Sequence, residues 1–358
     1  MGLDPVRAVL GGAMLPHAPQ FFTRPDSEDK ATIARVERVA ALIGERLAAL
    51  QPDVWISVSN DHAQQFFLDC APPFVFHVGG EARGSFAGKD FNYAIASEVS
   101  FALVRRLYRL GFDPAFSSSA VIDYALGIPL THLGVRSPIV PIFVNAYLPP
   151  QPTIERCYAF GQAVGSALAS LGVKAVVVAS GGMSHFPGTE RYANPDLAFD
   201  KALLEPLARG NLKALIGLSE EALDASGNIE LRCWALAAGM LGERKPDVLE
   251  FNPSWHHNYA SLGFWSQPER AAPMPHYPST KPELVALTSA LHALANDARA
   301  RKAFAHDPAG FAQGRGIEPA QQKLLVVFDV QAMVALGVHP LVPFLARMQI
   351  ERERAPKG

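Results

Sequence analysis

Three apolar runs, each ending just before a histidine, constrain this chain more than any other feature. Ala8 to Leu15 leads into Met14-Leu15-Pro16-His17, and Val54-Trp55-Ile56-Ser57-Val58-Ser59 into Asn60-Asp61-His62. Lys174 to Ala179, apolar after its first residue, leads into Ser180-Gly181-Gly182-Met183-Ser184-His185. Each run has the length of a buried strand and falls short of the roughly 18 apolar residues that a membrane span needs. Glu28 to Leu50, Ala94 to Leu110 and Thr153 to Leu171 read as helices between them. Strands alternating with helices of this length predict an α/β fold, with a mostly parallel or mixed central sheet flanked by helices. Such sheets place ligands outside their strand ends, where His17, His62 and His185 all fall.

The remaining elements are less regular. Phe74 to Val78 is expected as a strand at an edge, Ala115 to Ala120 as a short extended piece, and Pro138 to Tyr147 as a β-rich run. Pro195 to Gly217 and Ile229 to Leu241 are expected to be helical, and Val248 to Phe251 and Tyr259 to Trp265 to close the sheet. Gln267 to Ser279 is rich in Pro and Ala, the composition of a linker. Beyond it, Pro282 to Ala305, Glu318 to Phe328 and Gln331 to Leu345 carry helical spacing. The expected organisation is an α/β domain over 1–266, a linker over 267–280, a small all-helical domain over 281–350 and a frayed tail over 351–358.

Composition narrows the function. A net charge of −2 gives no electrostatic case for nucleic acid or an anionic membrane surface. Three cysteines without a CxxC pair argue against a disulfide framework and fit a reducing cytoplasm. The first residues lack the basic-then-apolar order of a secretory leader, so a cytoplasmic location is expected.

The chemistry is carried by histidine and carboxylate. Asn228-Ile229-Glu230-Leu231-Arg232-Cys233-Trp234 sets Glu230 at the start of an apolar helix. Two histidines and a carboxylate form the usual ligand set of a mononuclear non-heme Fe(II) site with open positions, which leaves a third histidine for acid–base work. Taken singly, each residue also has a structural explanation. A strand-end histidine can serve as a hydrogen-bonded core residue, Asp61 as a helix cap, Ser184 as a turn residue and Glu230 as a charge at a helix N-terminus. Other patterns do worse. Gly182-Met183-Ser184-His185-Phe186 begins like a nucleophile elbow but has Phe where a second Gly is required. Gly11-Gly12 lacks the rest of a dinucleotide fingerprint, and there is no P-loop or HExxH. His256-His257, read as strand neighbours, would point to opposite faces and so serve as structural or pocket-rim residues.

Pro16-His17, Asn60-Asp61-His62, Ser180-Gly181-Gly182-Met183-Ser184-His185 and Glu230 four residues before Trp234 together resemble the class III extradiol ring-cleavage dioxygenases, the superfamily of protocatechuate 4,5-dioxygenase. Residues 8–266 resemble the catalytic β subunit. Residues 281–350 resemble the small helical α subunit through Asp307-Pro308, Gly316-Ile317-Glu318 and the stretch from Asp329 to Pro340, fused as in gallate dioxygenases.

The resemblance implies Fe(II) held by His17, His62 and Glu230, with His185 as base and Asp61, Asp123 and Ser184 behind the ligands or beside the substrate. It also implies a small aromatic substrate and O2 as partners, a role in aromatic compound breakdown, and a helical lid from which His339 is the candidate contact. A homodimer is expected. One position departs from the family. Its members usually carry a histidine after the aspartate that corresponds to Asp123, and this chain has Tyr124. A phenol with a pKa near about 10 donates a proton or hydrogen bond but is a poor base at neutral pH. His132, eight residues on, is the candidate substitute. An aminophenol, a hydroxypyridine or an unusual catechol would suit the change. The competing readings are a same-fold metal-binding or redox protein without ring cleavage, and a zinc hydrolase using the same ligands.

Overall fold

The structure, a computed structural model, describes residues 8–267 and 279–354. The chain divides into two compact units, Met1–Glu269 and Arg270–Gly358. Most of the expected linker, and the last residues of the expected tail, lie outside the described residues.

The first unit is built on an eight-stranded sheet in the order β10 (Val248–Pro253), β11 (Asn258–Phe264), β1 (Val9–Leu15), β9 (Ala175–Ser180), β2 (Val54–Ser59), β8 (Ile139–Val144), β3 (Phe74–His77), β6 (Ala115–Ser117). Its centre is four parallel strands: β1 (Val9–Leu15), β9 (Ala175–Ser180), β2 (Val54–Ser59) and β8 (Ile139–Val144). β9 and β2 are buried along their whole length, because helices cover both faces of the sheet. Side chains alternate between the two cores. Ala175, Val177 and Ala179 meet one core, which includes Phe160 of α5 (Ile154–Leu171) and Trp234 of α8 (Leu231–Leu241). Val176 and Val178 meet the other, with Val36, Ile43 and Leu47 of α2 (Lys30–Ala49). The parallel register sets Leu15 beside Ser180 and Ser59 beside Phe143, so all four strands end at one rim of the sheet.

Local chemistry sets the boundaries. Asp29 caps α2 by accepting from the Ala31 and Thr32 amides, so this helix begins later than the expected Glu28. Thr153 caps α5, and Gly172, at φ 70°, ends it. Around β10 (Val248–Pro253) and β11 (Asn258–Phe264) the sheet turns antiparallel.

Three expectations are corrected. β3 (Phe74–His77) is not an edge strand, because β6 (Ala115–Ser117) pairs outside it. The expected helix over 195–217 is α6 (Leu197–Ala208) followed by a separate 3-10 turn over Leu212–Gly217, with Gly210 at φ 92° between them. α14 (Leu341–Arg354) continues through the start of the expected frayed tail.

Two elements carry no clear sequence signal. The hairpin of β4 (Glu81–Phe86) and β5 (Lys89–Ala94) joins β7 (Ala120–Val121) in a small second sheet. α4 (Tyr124–His132) contains Pro129 and is buried around most of its circumference, so it shows no amphipathic period.

The described residues of the second unit form helices joined by short connections and pack on their own core, which includes Leu287, Leu291, Phe304, Leu325 and Met333. No helix among the described residues is long and apolar enough to cross a membrane.

Candidate metal centre

The common rim of the parallel strands gathers the site. His17 follows β1, His62 follows β2, and Glu230 immediately precedes α8. One ligand atom from each lies within 4.8 Å of the others, the only such His/Cys/Asp/Glu group found among the described residues. His17 Nε2 is 3.2 Å and His62 Nε2 3.9 Å from Glu230 Oε1.

The far nitrogens fix both tautomers. Ser180 Oγ donates to the Ala125 carbonyl, so it is free to accept from His17 Nδ1 at 2.8 Å. His62 Nδ1 lies 2.5 Å from Asp123 Oδ2 and donates to it. Each Nε2 is then a bare lone pair aimed at a carboxylate. Three converging acceptors repel one another unless a cation lies among them, and such a donor set fits a divalent metal.

Electrostatics agrees. Burial alone would raise the Glu230 pKa, yet positive charge on the imidazoles, His17 first, holds it well below the usual carboxylate range, so the carboxylate calls for a cation among these three groups. Burial opposes charge on His62 too, but the Asp123 carboxylate outweighs it and the pKa rises.

Glu230 is buried and held from three sides. Its Oε2 accepts from the Gly182 amide at 2.9 Å, and its Oε1 from Tyr147 Oη at 2.8 Å and Asn60 Nδ2 at 3.3 Å. The glycine pair makes this approach possible. Gly181 sits at φ 129°, and a Cβ added there would lie 2.8 Å from Glu230 Cβ. Trp234, one turn into α8, donates Nε1–H to the Gly181 carbonyl at 2.9 Å and ties helix to loop.

A cavity of about 160 Å³ adjoins these groups and is lined by His17, His62, Tyr124, Tyr147 and His185 among others. His185 donates Nδ1–H to the Met183 carbonyl at 2.9 Å, which leaves Nε2 as the basic nitrogen. Burial lowers its pKa, so the ring is neutral and able to accept a proton. Its face stacks on His257, centroids 4.1 Å apart and planes within 4°. Burial raises the phenol pKa of Tyr124, and more strongly that of Tyr147, so both stay protonated donors at neutral pH.

The other expected residues have partners of their own. Asp61 accepts from the Gln65 and Phe66 amides, both at 3.0 Å, and so supports the loop after His62; Asp123 is the carboxylate on that ring. Ser184 Oγ donates to the Ser226 carbonyl and accepts from the Asp196 amide, a structural role. His132 is not brought to the site. A helix rises roughly 1.5 Å per residue, so α4 carries it about 12 Å along its axis from Tyr124. There its ring meets Phe21 and Phe22. His339 belongs to the second unit, where its Nδ1 accepts from the Leu341 amide at 3.3 Å.

Three further residues line the cavity in places that the sequence does not signal. Tyr147 follows β8 just as the histidines follow their strands. His256 and His257 precede β11 rather than lying on it, so both rings reach the cavity.

Comparison with known proteins agrees with this geometry. The family model described as the catalytic LigB subunit of aromatic ring-opening dioxygenase matches residues 11–263. Among similar proteins is the 2,3-dihydroxyphenylpropionate/2,3-dihydroxicinnamic acid 1,2-dioxygenase of Cupriavidus necator, 26% identical over 283 residues, covering 64% of this chain and 90% of the relative. The enzyme of the same name from Paraburkholderia phymatum is 28% identical over 284 residues, with the same coverage of 64% and 90%. That from Klebsiella pneumoniae is 31% identical over 194 residues, 53% of this chain and 61% of the relative. The chain therefore belongs to the LigB family and is a ring-opening dioxygenase of the extradiol type.

Proposed function

We propose that the bound metal is Fe(II), held by His17, His62 and Glu230, and that the enzyme opens a small dihydroxylated aromatic or heteroaromatic ring with O2. The observation that carries this reading is the convergence of two fixed Nε2 lone pairs on the Glu230 carboxylate. Two histidines and one carboxylate are the non-heme Fe(II) set with open positions. Bound there, iron supplies the electron-transfer chemistry that couples an electron-rich ring to O2.

The protein side is acid–base work and placement. His185 Nε2 takes the proton of a ring hydroxyl, and its Nδ1–H stays tied to the Met183 carbonyl, so the ring keeps its aim. Tyr124 supplies a hydroxyl donor on the cavity wall rather than a second base, while Tyr147 gives its proton to Glu230 Oε1. A substrate that needs one base and gains from a donated hydrogen bond suits this wall: a catechol, an aminophenol or a hydroxypyridine.

Anaerobically prepared protein should take up one iron per chain and, with a catechol or aminophenol, consume one O2 per ring opened. His17→Ala and Glu230→Ala should each lose the metal and the activity together. Retention of iron and full turnover by either variant would refute the ligand assignment, and activity with zinc alone would refute iron.

A further inference from the structure

The cavity has another wall that takes no part in holding the metal, formed by Gln20, Tyr192 and His256. His256 is 2% exposed, and its Nε2 lies 3.0 Å from Oε1 of Glu28, itself buried. Glu28 also accepts from Trp255 Nε1 at 3.1 Å and from Tyr259 Oη at 3.5 Å. Because the carboxylate accepts, His256 Nε2 carries the proton and Nδ1 keeps a bare lone pair. No described residue takes up that nitrogen, and the open space beside His256 is the cavity. Burial lowers the pKa of this imidazole, in keeping with a neutral ring.

Gln20 repeats the pattern. Its Nε2 donates to Tyr192 Oη at 3.4 Å, and its Oε1 is buried without a partner among the described residues. Tyr192 stacks on His256, centroids 5.2 Å apart, which joins the three side chains into one surface. It holds one buried acceptor without a donor, Gln20 Oε1, one imidazole nitrogen open to the cavity and one hydroxyl. None of the described residues lining the cavity is lysine or arginine.

An acceptor buried without a donor is unfavourable until a ligand supplies one, and a site built that way rejects ligands that cannot. We propose that Gln20 and His256 read the ring substituent, and that the preferred substrate carries a neutral O–H or N–H group there rather than a free carboxylate. This rests on the ring-opening reading above and narrows its substrate class. It sets this chain apart from the relatives named for dihydroxyphenylpropionate, whose side chain ends in a carboxylate.

The test is calorimetric titration of the anaerobic, iron-loaded full chain with catechol, a hydroxymethyl catechol and the dihydroxybenzoate substituted at the same ring position. The hydroxymethyl ligand should bind at least roughly tenfold more tightly than the dihydroxybenzoate. That ratio should shrink to within about threefold in Gln20→Leu and in His256→Phe. A ratio cancels any general loss of affinity, and Gln20→Leu stands alone if His256→Phe fails to fold with Glu28 unpaired. Tighter binding of the dihydroxybenzoate, or a ratio unmoved by Gln20→Leu, would overturn the proposal. If no ligand binds and none is opened with O2, the ring-opening reading has failed; if catechol is opened but the ratio is absent, only the substituent wall has.

Discussion

The Tyr124 ring lies over the His62 imidazole, centroids 4.3 Å apart and planes 19° apart. The preceding residue, Asp123, grips the same imidazole at Nδ1. Two neighbours in sequence thus serve one imidazole, one fixing its tautomer and the other covering its face. Asp123 can do this because it caps α4, accepting the Ala125 amide at 2.9 Å through its other oxygen. The helix start and the His62 imidazole share a single carboxylate.

Tyr124→Phe separates stacking from hydrogen bonding. The phenyl ring keeps the stack, so iron content should match the unaltered protein within about twofold. The hydroxyl donor is lost, and kcat/KM should fall roughly tenfold or more, as for one hydrogen bond to a reacting group. Iron analysis beside steady-state O2 uptake reads both. An unchanged kcat/KM would remove Tyr124 from the chemistry.

Asp123→Asn keeps an oxygen for the cap but removes the charge that holds His62. Iron affinity should drop about 10–100-fold, the usual cost of losing a partner behind a ligand. The melting temperature should move little, because Asn is as good a cap as Asp. Competition with a chelator measures the affinity. Equal affinity would mean that Asp123 is only a helix cap.

Gly181→Ala tests why the loop after β9 is glycine. A methyl group there meets Glu230 at 2.8 Å from a backbone at φ 129°. The strain should cost about 1–3 kcal/mol and displace the carboxylate. Thermal unfolding should come earlier and iron binding should weaken together. A variant with native stability and native iron affinity would show that the loop has room to spare.

The sequence exposes this centre where its chemistry is unusual in type and hides it where it is ordinary. His17, His62 and His185 stand out because a histidine after an apolar run is a polar interruption at a strand end. Tyr147 obeys the same delivery rule after β8, but Asn145-Ala146-Tyr147 offers no residue that signals a site. His132 illustrates the reverse error. Position in the chain made it a neighbour of Tyr124, and only the helix between them reveals that the two lie a helix length apart. Strand geometry would send His256 and His257 to opposite faces, but both precede the strand, so both line the cavity in the pocket-rim position that the sequence allows them. The hairpin of β4 and β5 left little trace since most of its side chains are exposed or half-exposed, and one of the few buried, Phe91, packs against Gly127 of α4.

Acid stability follows from buried groups outside the metal centre. Burial pushes His77 down to about 4, against a hydrogen bond to the Ser119 carbonyl, and pushes His132 down to about 4 as well. In the unfolded chain both titrate near about 6.5. Between these values the folded protein binds fewer protons than the unfolded one, so stability present above pH ~6.5 is lost as pH falls towards ~4, by up to about 3 kcal/mol per histidine. Asp200 has the opposite sign. Burial raises it to about 6, so between there and its unfolded value, near ~3.9, the folded state holds its proton more tightly and acidification returns a similar amount. Taken by themselves, these two histidines against one carboxylate contribute a net loss on the order of 3 kcal/mol between pH 7 and 4. Urea unfolding at a series of pH values measures it. His132→Phe keeps a ring against Phe21 and Phe22 and removes one titration, so its curve should be flatter over the same range. If the variant loses as much stability on acidification as the parent, His132 is not held neutral by the fold.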